Sequence, residues 1–371
     1  MSNNQPKNIV IFSDGTGQDG GRFEPDRISH NSNVYKAFSM VESRTPEQIA
    51  FYHVGVGADR SLTGLIGGSG FSKAIIDCYH LLFENYMLGD QIYLFGFSRG
   101  AAVVRSLASF IDMFGILPVQ RNQLVEDAYH IYRMRNKDKR QKAAQKFRDQ
   151  NYPVPVNIKF LGVWDTVVSL GLPTIPIVER ILNLLPSTRH RFHNFTLAGN
   201  VQNAYHALAI DERRTSFEPA LWKEPVADKQ CSMKQVWFPG VHGDVGGGFN
   251  RGEQQLSDIA LEWMLYNATS CGLQLRNMSK QELGFLEMPV LHPNINGTVH
   301  YAKSNNKFPY NFLPQRPRSA IWNEKEHGDL VVHQSVLHRA NNEKNNYHPW
   351  VLEKPYTVEP YETLKYTRRE G

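Results

Sequence analysis

The chain has 371 residues, of which 41% are hydrophobic and 21% are charged. A chain of this length and composition can bury a sizeable core, which excludes a mostly disordered or fibrous protein. No stretch approaches the ~20 consecutive apolar residues of a membrane-spanning helix. The first seven residues are polar and lead directly into a strand-like run. We therefore expect no cleavable signal, synthesis in the cytoplasm, and any export by a signal-independent route.

The net charge of +5 is unevenly distributed, because segment 133–148 carries eight basic residues against the single acidic residue Asp138. Such a run is typical of a solvated helix face, and contact with an anionic membrane surface is the alternative. Its one aromatic residue, Phe147, argues against the stacking of nucleic-acid bases. The three cysteines lack C-x-x-C spacing, so we expect neither a disulfide framework nor a zinc ligand set among them. No cofactor or metal ion is expected.

Short apolar runs with the composition of buried strands alternate with helical patterns along much of the chain. The strand-like runs are 8–12, 91–95, 156–163 and 234–238. The helical patterns are 71–87, 99–110, 123–133 and 259–267. This alternation predicts an α/β protein with a mainly parallel sheet and helices on both faces. The segment from residue 291 onward is rich in Pro, Asn, His and Tyr and indicates an irregular covering structure.

The pattern G-x-S-x-G occurs between a strand-like run and a helical pattern, in residues 96–100. In this context the serine lies on a sharp turn, and the flanking glycines let strand and helix pass close to it. The start of the helix also offers free backbone N–H groups where an oxyanion would form. We therefore predict Ser98 as a nucleophile and the Arg99 N–H as an oxyanion donor. The alternative is an ordinary turn in which Ser98 caps the helix.

A serine nucleophile needs an acid and a histidine, which α/β-hydrolases supply in the chain order serine, acid, histidine. Asp165 follows a strand-like run and is the predicted acid, with capping of the next segment as its alternative role. His242 lies in a glycine-rich loop after the run 234–238 and is the predicted base. His206 is the competing histidine, and the apolar run after it favours a packed core residue instead.

The turn after the first strand-like run supplies the second oxyanion donor, which we expect to be the N–H of Gly15 or Thr16. Asp14 in this turn suggests a rival, the aspartyl-phosphate phosphatases with their D-x-D-G-T motif. The first aspartate of that motif is replaced here by Phe12. Phosphotransfer through an aspartate is therefore excluded at that position.

Two other hypotheses remain beside the serine hydrolase. A metal-dependent hydrolase would use Asp14, Asp165, His242 and Asp244, whose oxygen and nitrogen atoms are suitable ligands. This hypothesis gives Ser98 no role and ranks second. A non-catalytic binding protein on the same fold is the third hypothesis, since a fold does not guarantee an activity.

Seven segments, in this order, resemble the α/β-hydrolase catalytic domain of the first family of type VI secretion lipase effectors and its uncharacterised relatives. They are 11–16, 52–57, 96–101, 162–167, 205–214, 237–248 and 256–260. The resemblance implies a serine hydrolase with a triad of Ser98, Asp165 and His242 that cleaves acyl esters of phospholipids. We expect one elaborated α/β-hydrolase domain over residues 1–371, with insertions, a family-like core at about 7–265 and a C-terminal extension at about 266–371.

The expected partners follow from the same resemblance. They are a lipid or other acyl-ester substrate and a secretion-system or immunity protein, whereas nucleic acid is not expected. The apolar segments 170–178 and 181–185 have two interpretations, either an acyl groove or lid, or packing in the core.

Overall fold

A computed structural model of the chain describes residues 5–16, 18, 20, 30–55, 68–118, 123–168, 196–223, 231–250, 252–276, 289–301 and 315–364. The apolar segments 170–178 and 181–185 lie outside these ranges, so their predicted role in a groove, lid or core stays a prediction. Within the described ranges, every helix is too short or too polar to cross a membrane.

One parallel sheet forms the centre of the described structure. Its strands are β1 (Asn8–Ser13), β2 (Gln48–His53), β3 (Gln91–Phe97), β4 (Ile158–Trp164), β5 (Asn203–Ala209), β6 (Ser232–Phe238), β7 (Val331–His333) and β8 (Thr357–Glu359). The spatial order is β2-β1-β3-β4-β5-β6-β7-β8, and each neighbouring pair is parallel. The predicted α/β architecture is confirmed, and the four strand-like runs correspond to β1, β3, β4 and β6.

Helices cover both faces of this sheet. They are α1 (Asn33–Met40), α2 (Gly68–Asn85), α3 (Arg99–Phe114), α4 (Gln123–Tyr132), α5 (Lys137–Asn151), α6 (His242–Gly246), α7 (Gln255–Ser270), α8 (Glu324–His327) and α9 (Gln334–Ala340). The four helical patterns of the sequence correspond to α2, α3, α4 and α7.

Strand β1 shows how the two faces are built. Ile9 and Ile11 belong to a core with α2, α3, α4 and α5, while Val10 and Phe12 belong to a core with α1 and α7. All four side chains are fully buried, which contributes about 1.5–3 kcal/mol for each large apolar side chain. Because both faces are covered, the strand is continuously apolar and does not alternate with polar residues.

The strand order determines where on the sheet a crevice can form. β2 lies on one side of β1 and β3 on the other, so the direction of winding reverses between β1 and β3. Crevices form at the carboxyl ends of strands where the order reverses. Ser13, the last residue of β1, is paired with Gly96 near the end of β3. The turn after β1 and the turn that holds Ser98 therefore lie side by side.

The C-terminal segment is more regular than its composition indicates. It adds β7 and β8 to the sheet, and it forms a third core in which Trp322 and Val332 pack with Trp237 of β6. Each of the two added strands has only three residues, too few for a strand pattern to be visible in the sequence.

The basic run forms α5 and the turn before it. Ala144 and Phe147 are buried against the core, while Lys139, Lys142 and Lys146 are exposed. The helix begins with a cap in which the Asn136 side chain accepts a hydrogen bond from the Lys139 amide. This distribution supports the interpretation as a solvated helix face.

Candidate active site

The segment around Ser98 forms the sharp strand-to-helix turn that the sequence predicts. Ser98 has φ 57° and ψ −122°, a conformation that costs a non-glycine residue on the order of 1–3 kcal/mol. A Cβ on Gly96 would lie 2.6 Å from the Gly100 carbonyl oxygen, and a Cβ on Gly100 would lie 2.1 Å from that of Ser13. Glycine is therefore needed on both sides of Ser98, because β3, α3 and the end of β1 pass too close for a side chain.

Ser98 precedes α3 without acting as a side-chain cap. Its side chain makes no capping hydrogen bond, and the residue is only 7% exposed. The capping alternative therefore has no support in the described structure. Arg99 is the first residue of α3, so its N–H is one of the amides that a helix leaves without an internal partner.

The backbone of Ser98 connects the nucleophile turn to the segment that holds Asp165. The Ser98 amide donates to the carbonyl oxygen of Trp164 at 3.1 Å, and the Val167 amide donates to the Ser98 carbonyl oxygen at 3.4 Å. Residues on both sides of Asp165 are thus bonded to Ser98. Asp165 itself has φ 38°, directly after the end of β4, and its amide donates to the Ala207 carbonyl oxygen of β5 at 2.8 Å.

The predicted acid and the predicted base are in direct contact. The Asp165 Oδ2 and His242 Nδ1 atoms are 2.6 Å apart. Asp165 is fully buried, and His242 is 6% exposed. His242 is the first residue of α6, after β6, and its Nε2 atom makes no hydrogen bond to any other described residue. With Nδ1–H donated to a carboxylate, Nε2 is the nitrogen left to accept a proton.

Two aromatic side chains confine the imidazole ring of His242. The ring of Phe97, the residue before Ser98, lies 4.6 Å from it, and the ring of Phe217 lies 4.9 Å from it. The His242 amide donates to the Glu212 carboxylate at 3.3 Å. These contacts fix both the ring and the backbone of His242, and the Phe97 contact places the ring next to the residue before Ser98.

Arg318 is a site residue that sequence reasoning missed. Its Nη1 and Nη2 atoms donate to the Asp165 Oδ1 and Oδ2 atoms at 2.5 and 2.8 Å. The same Oδ1 atom accepts a hydrogen bond from the Ala209 amide at 3.0 Å. Arg318 lies in the Pro/Asn-rich C-terminal segment, outside all seven recognised segments, and only the folded chain brings it to β4.

The environment of Asp165 favours its ionised form. Burial by itself raises the pKa of a carboxyl group. The charge and hydrogen bonds of Arg318, with the hydrogen bond from His242, outweigh burial and hold the pKa of Asp165 below its usual range. The carboxylate therefore stays charged at neutral pH, as a partner of an imidazole base requires.

His206 is a packed core residue, which confirms the prediction for this competing histidine. It is fully buried in β5, its Nε2 atom accepts a hydrogen bond from the Thr166 amide at 3.1 Å, and its ring packs against Trp222. Burial, with the nearby charge of Arg105, lowers the pKa of His206 to about 3. The imidazole is therefore neutral at physiological pH.

The turn after β1 lies beside Ser98, and Asp14 holds its shape. A Cβ on Gly15 would lie 3.4 Å from the Ser98 Cβ. The Gly15 amide donates to the Asp14 Oδ1 atom at 2.6 Å, and Asp14 Oδ2 accepts hydrogen bonds from Ser32 and Tyr52. Of the two predicted donors, Thr16 is the one whose amide has no hydrogen-bond partner among the described residues. This arrangement favours the Thr16 N–H over that of Gly15.

The four residues of the metal hypothesis do not form one cluster. Asp244 accepts hydrogen bonds from the Val241 and His300 amides at 3.0 Å, and its Oδ1 atom lies 2.6 Å from the His300 Nδ1 atom. Asp14 is bonded within its own turn, as described above. The described ranges contain no group of three or more His, Cys, Asp or Glu side chains placed to hold a metal ion.

Comparisons with known proteins agree with the resemblance seen in the sequence. Residues 7–267 match the family described as "T6SS, Phospholipase effector Tle1-like, catalytic domain". The uncharacterized protein YEL023C of Saccharomyces cerevisiae is 27% identical over 238 residues, which cover 57% of this chain and 32% of the yeast protein.

Two solved structures are similar at lower identity. An uncharacterized protein from Pseudomonas aeruginosa is 19% identical, with a TM-score of 0.49, over 73% of this chain and 47% of that one. The Tle1 effector, solved bound to the VgrG spike of the type 6 secretion system, is 20% identical, with a TM-score of 0.33, over 66% of this chain and 51% of its own.

The chain spans about a third of the yeast relative and about half of each of these two structures. The family match covers well over half of the chain and includes β1 to β6 together with Ser98, Asp165 and His242. The chain therefore belongs to the Tle1-like catalytic-domain family of type VI secretion phospholipase effectors.

Proposed function

We propose that this protein is a serine hydrolase that cleaves carboxylic acyl esters, with phospholipids as the main substrate class. Ser98 is the nucleophile, His242 the general base and Asp165 the acid that orients the base. The observation that carries the proposal is the 2.6 Å contact between Asp165 and His242, beside a turn that holds Ser98 at φ 57°. Membership of a phospholipase effector family supports the same class of reaction.

The first half of the reaction forms an acyl-enzyme. The His242 Nε2 atom takes the proton of the Ser98 hydroxyl group while its Oγ atom attacks the ester carbonyl carbon. Asp165 stabilises the imidazolium that forms, because Arg318 keeps the carboxylate ionised. His242 then gives its proton to the leaving alcohol. Water, deprotonated by the same imidazole, releases the acyl group and restores Ser98.

Backbone amides hold the oxyanion of each tetrahedral intermediate. The Arg99 N–H at the start of α3 is one donor, and the Thr16 N–H is the second, because the Gly15 N–H is already bonded to Asp14. Preorganised donors of this kind each lower the barrier by about 3–4 kcal/mol. The tight packing around Gly96, Gly100 and Ser13 keeps these two turns in register.

The family description supports a phospholipid substrate and a secretion-system partner, and the other partners belong to the proposal alone. A lipid or other acyl-ester substrate enters at the rim above Ser98, and a type VI secretion system exports the chain from the cytoplasm, where an immunity protein would protect the producing cell. Transient contact with an anionic membrane belongs to the same proposal. No metal ion or other cofactor takes part in the reaction.

Hydrolysis of defined phospholipids, analysed by mass spectrometry, tests the proposal. The wild-type protein should release free fatty acid and lysophospholipid, with undiminished activity in EDTA. The Ser98→Ala variant is the control and should release neither product. Activity that EDTA abolishes would favour a metal-dependent hydrolase, and a folded protein inactive on phospholipids and short acyl esters alike would favour a binding protein.

A further inference from the structure

Arg318 lies outside the segment that matches the family, yet its side chain is buried against the acid of the proposed triad. The family match ends at residue 267. Arg318 is 1% exposed and bonds both oxygens of Asp165 through its two terminal nitrogens. A forked contact of this kind fixes the plane of a carboxylate as well as its charge, which a lysine cannot do.

We propose that Arg318 is a positioning residue of the active site, which holds Asp165 in the orientation that His242 requires, and that the C-terminal extension is therefore part of the catalytic unit. The inference rests on the proposed function. It adds that residues 7–267 do not contain the complete machinery for the reaction.

The two carboxylate oxygens of Asp165 accept hydrogen bonds from different groups. Asp165 Oδ1 accepts from Arg318 Nη1 and from the Ala209 amide. Asp165 Oδ2 accepts from Arg318 Nη2 and lies 2.6 Å from His242 Nδ1. A rotation of the carboxylate would break at least two of these bonds. Arg318 thereby keeps Oδ2 directed at the imidazole.

Arg318 also supports the wall of the His242 pocket. Its Nη1 and Nη2 atoms donate to the carbonyl oxygens of Ala209 and Phe217 at 2.8 and 2.7 Å. The Phe217 ring packs against the His242 ring. One buried guanidinium thus fixes the hydrogen-bond acceptor of His242 and one of its two aromatic neighbours.

The charges around the Asp165–His242 pair make Arg318 its main compensating cation. Glu212, which accepts from the His242 amide, is itself bonded to Arg214 at 2.6 Å. His206 is neutral at physiological pH, and the Arg105 guanidinium donates to the carbonyl oxygen of Ala220. Loss of the Arg318 charge should therefore favour proton binding by the pair and move the acidic limb of the pH–activity profile to higher pH.

The experiment compares five variants of the full chain, four single and one double. Arg318→Met removes the positive charge and the hydrogen bonds. Arg318→Lys keeps the positive charge but loses the two-nitrogen contact with the Asp165 carboxylate. Arg316→Ala is the matched control, since Arg316 is exposed two residues away and its side chain bonds only the Ala320 carbonyl oxygen among the described residues. Asp165→Asn, alone and combined with Arg318→Met, shows whether Arg318 acts through Asp165. Circular dichroism checks that each variant folds.

We expect Arg318→Met to lower kcat on the order of 100-fold, with KM little changed and the acidic limb moved to higher pH. Arg318→Lys should recover part of the loss, and Arg316→Ala should match the wild type. In the Asp165→Asn background, Arg318→Met should cost less than about threefold, because residues that act as a unit are not additive. Folded Arg318 variants with wild-type kcat and pH profile, or an undiminished loss in the Asp165→Asn background, would overturn the proposal.

A second measurement does not depend on activity. A histidine Nδ1 proton bonded to a carboxylate gives a low-field ¹H NMR signal. The His242 signal should be present in wild type and Arg316→Ala and absent in His242→Gln, which distinguishes it from a signal of His300 bonded to Asp244. We expect Arg318→Met and Arg318→Lys to lose or shift it, and an unchanged signal would contradict the positioning role. A signal that depends on Arg318 in a protein without esterase activity would contradict the proposed function but would still support the positioning role of Arg318.

Discussion

The turn at Ser98 (residues 96–100) and the acid–histidine pair (Asp165 and His242) are built in different ways. Residues 96–100 supply the turn from one short segment, between one strand and the helix that follows it. The acid–histidine pair draws on four separated places: Asp165 after β4, Ala209 at the end of β5, His242 in α6 and Arg318 in the C-terminal extension. The first region is a local structure, and the second exists only in the folded chain.

The two regions are also held in place by different interactions. The turn stores backbone strain at Ser98 and is held by close packing of glycines. The acid–histidine pair is held by charge and hydrogen bonds in a buried place, where one missing partner leaves another polar group unsatisfied. We therefore expect replacement of the Ser98 side chain to affect chemistry with little loss of stability, and substitutions in the pair to affect both.

The largest effect is expected from Ser98→Ala. The variant loses the attacking oxygen, so kcat should fall on the order of 10⁴- to 10⁶-fold. The Ser98 hydroxyl makes no capping hydrogen bond, so the free energy of unfolding should change by less than about 1 kcal/mol. Steady-state ester hydrolysis and urea denaturation measure the two quantities. Retained hydrolysis in the variant would remove Ser98 from the mechanism.

A comparison of two buried histidines, His242 and His206, gives the sharpest test of the acid–histidine pair. His242→Gln should lower kcat as far as Ser98→Ala does, and the double variant should be no worse than either one. His206→Leu should keep activity near the wild-type value but lose about 1–3 kcal/mol of stability, because the Thr166 amide loses its buried acceptor. Equal activities of the two histidine variants would reject the assignment of the base.

The sequence was informative where a few adjacent residues determine the structure. The turn at Ser98, the strands β1, β3, β4 and β6, and the positions of Asp165 and His242 at strand ends all follow from local patterns. Arg318 could not be found in this way, because nothing near it in the chain indicates a contact with β4. The three-residue strands β7 and β8 are likewise too short to show a period, and they form by pairing with β6 and with each other.

Asp211 shows how the pKa of a buried carboxyl group shifts near a neighbouring strand end when no arginine among the described residues bonds to it. It follows β5, as Asp165 follows β4. Burial raises the pKa of Asp211 to about 6, although hydrogen bonds from the Gly240 amide and the Tyr347 hydroxyl lower it and the charge of Asp244 raises it. The same kind of group in two similar places thus has opposite pKa shifts, because only Asp165 has a bonded cation.

This contrast predicts a pH dependence of stability. The pKa of Asp211 is about 6 in the folded protein and about 3.9 in the unfolded chain. Its protonated form therefore contributes fully to stability below about pH 3.9, and this contribution is lost as the pH rises through about 6. The loss amounts to about 3 kcal/mol for a shift of this size. Asp211→Asn should therefore be more stable relative to wild type at pH 8 than at pH 5. Urea denaturation at both pH values checks it, and parallel pH dependences of the two proteins would contradict it.

The smallest effect is expected on α5, which is far from either region. The helix ends at Asn151 and leads to the amino end of β4, at the edge of the sheet opposite Ser98. Replacing exposed Lys139, Lys142 and Lys146 by Glu should change the free energy of unfolding by about 0.5 kcal/mol or less for each substitution. Sedimentation with anionic vesicles should give the same bound fraction as wild type. Selective loss of vesicle binding would favour the membrane interpretation of this basic run.

Covalent labelling with a fluorophosphonate, followed by peptide mapping, tests most directly whether Ser98 and the distant acid–histidine pair act as one site. We predict a single adduct on the Ser98 oxygen in the wild-type protein and none in folded His242→Gln. An active protein that carries no adduct on Ser98, or a His242→Gln variant labelled as fast as wild type, would contradict it.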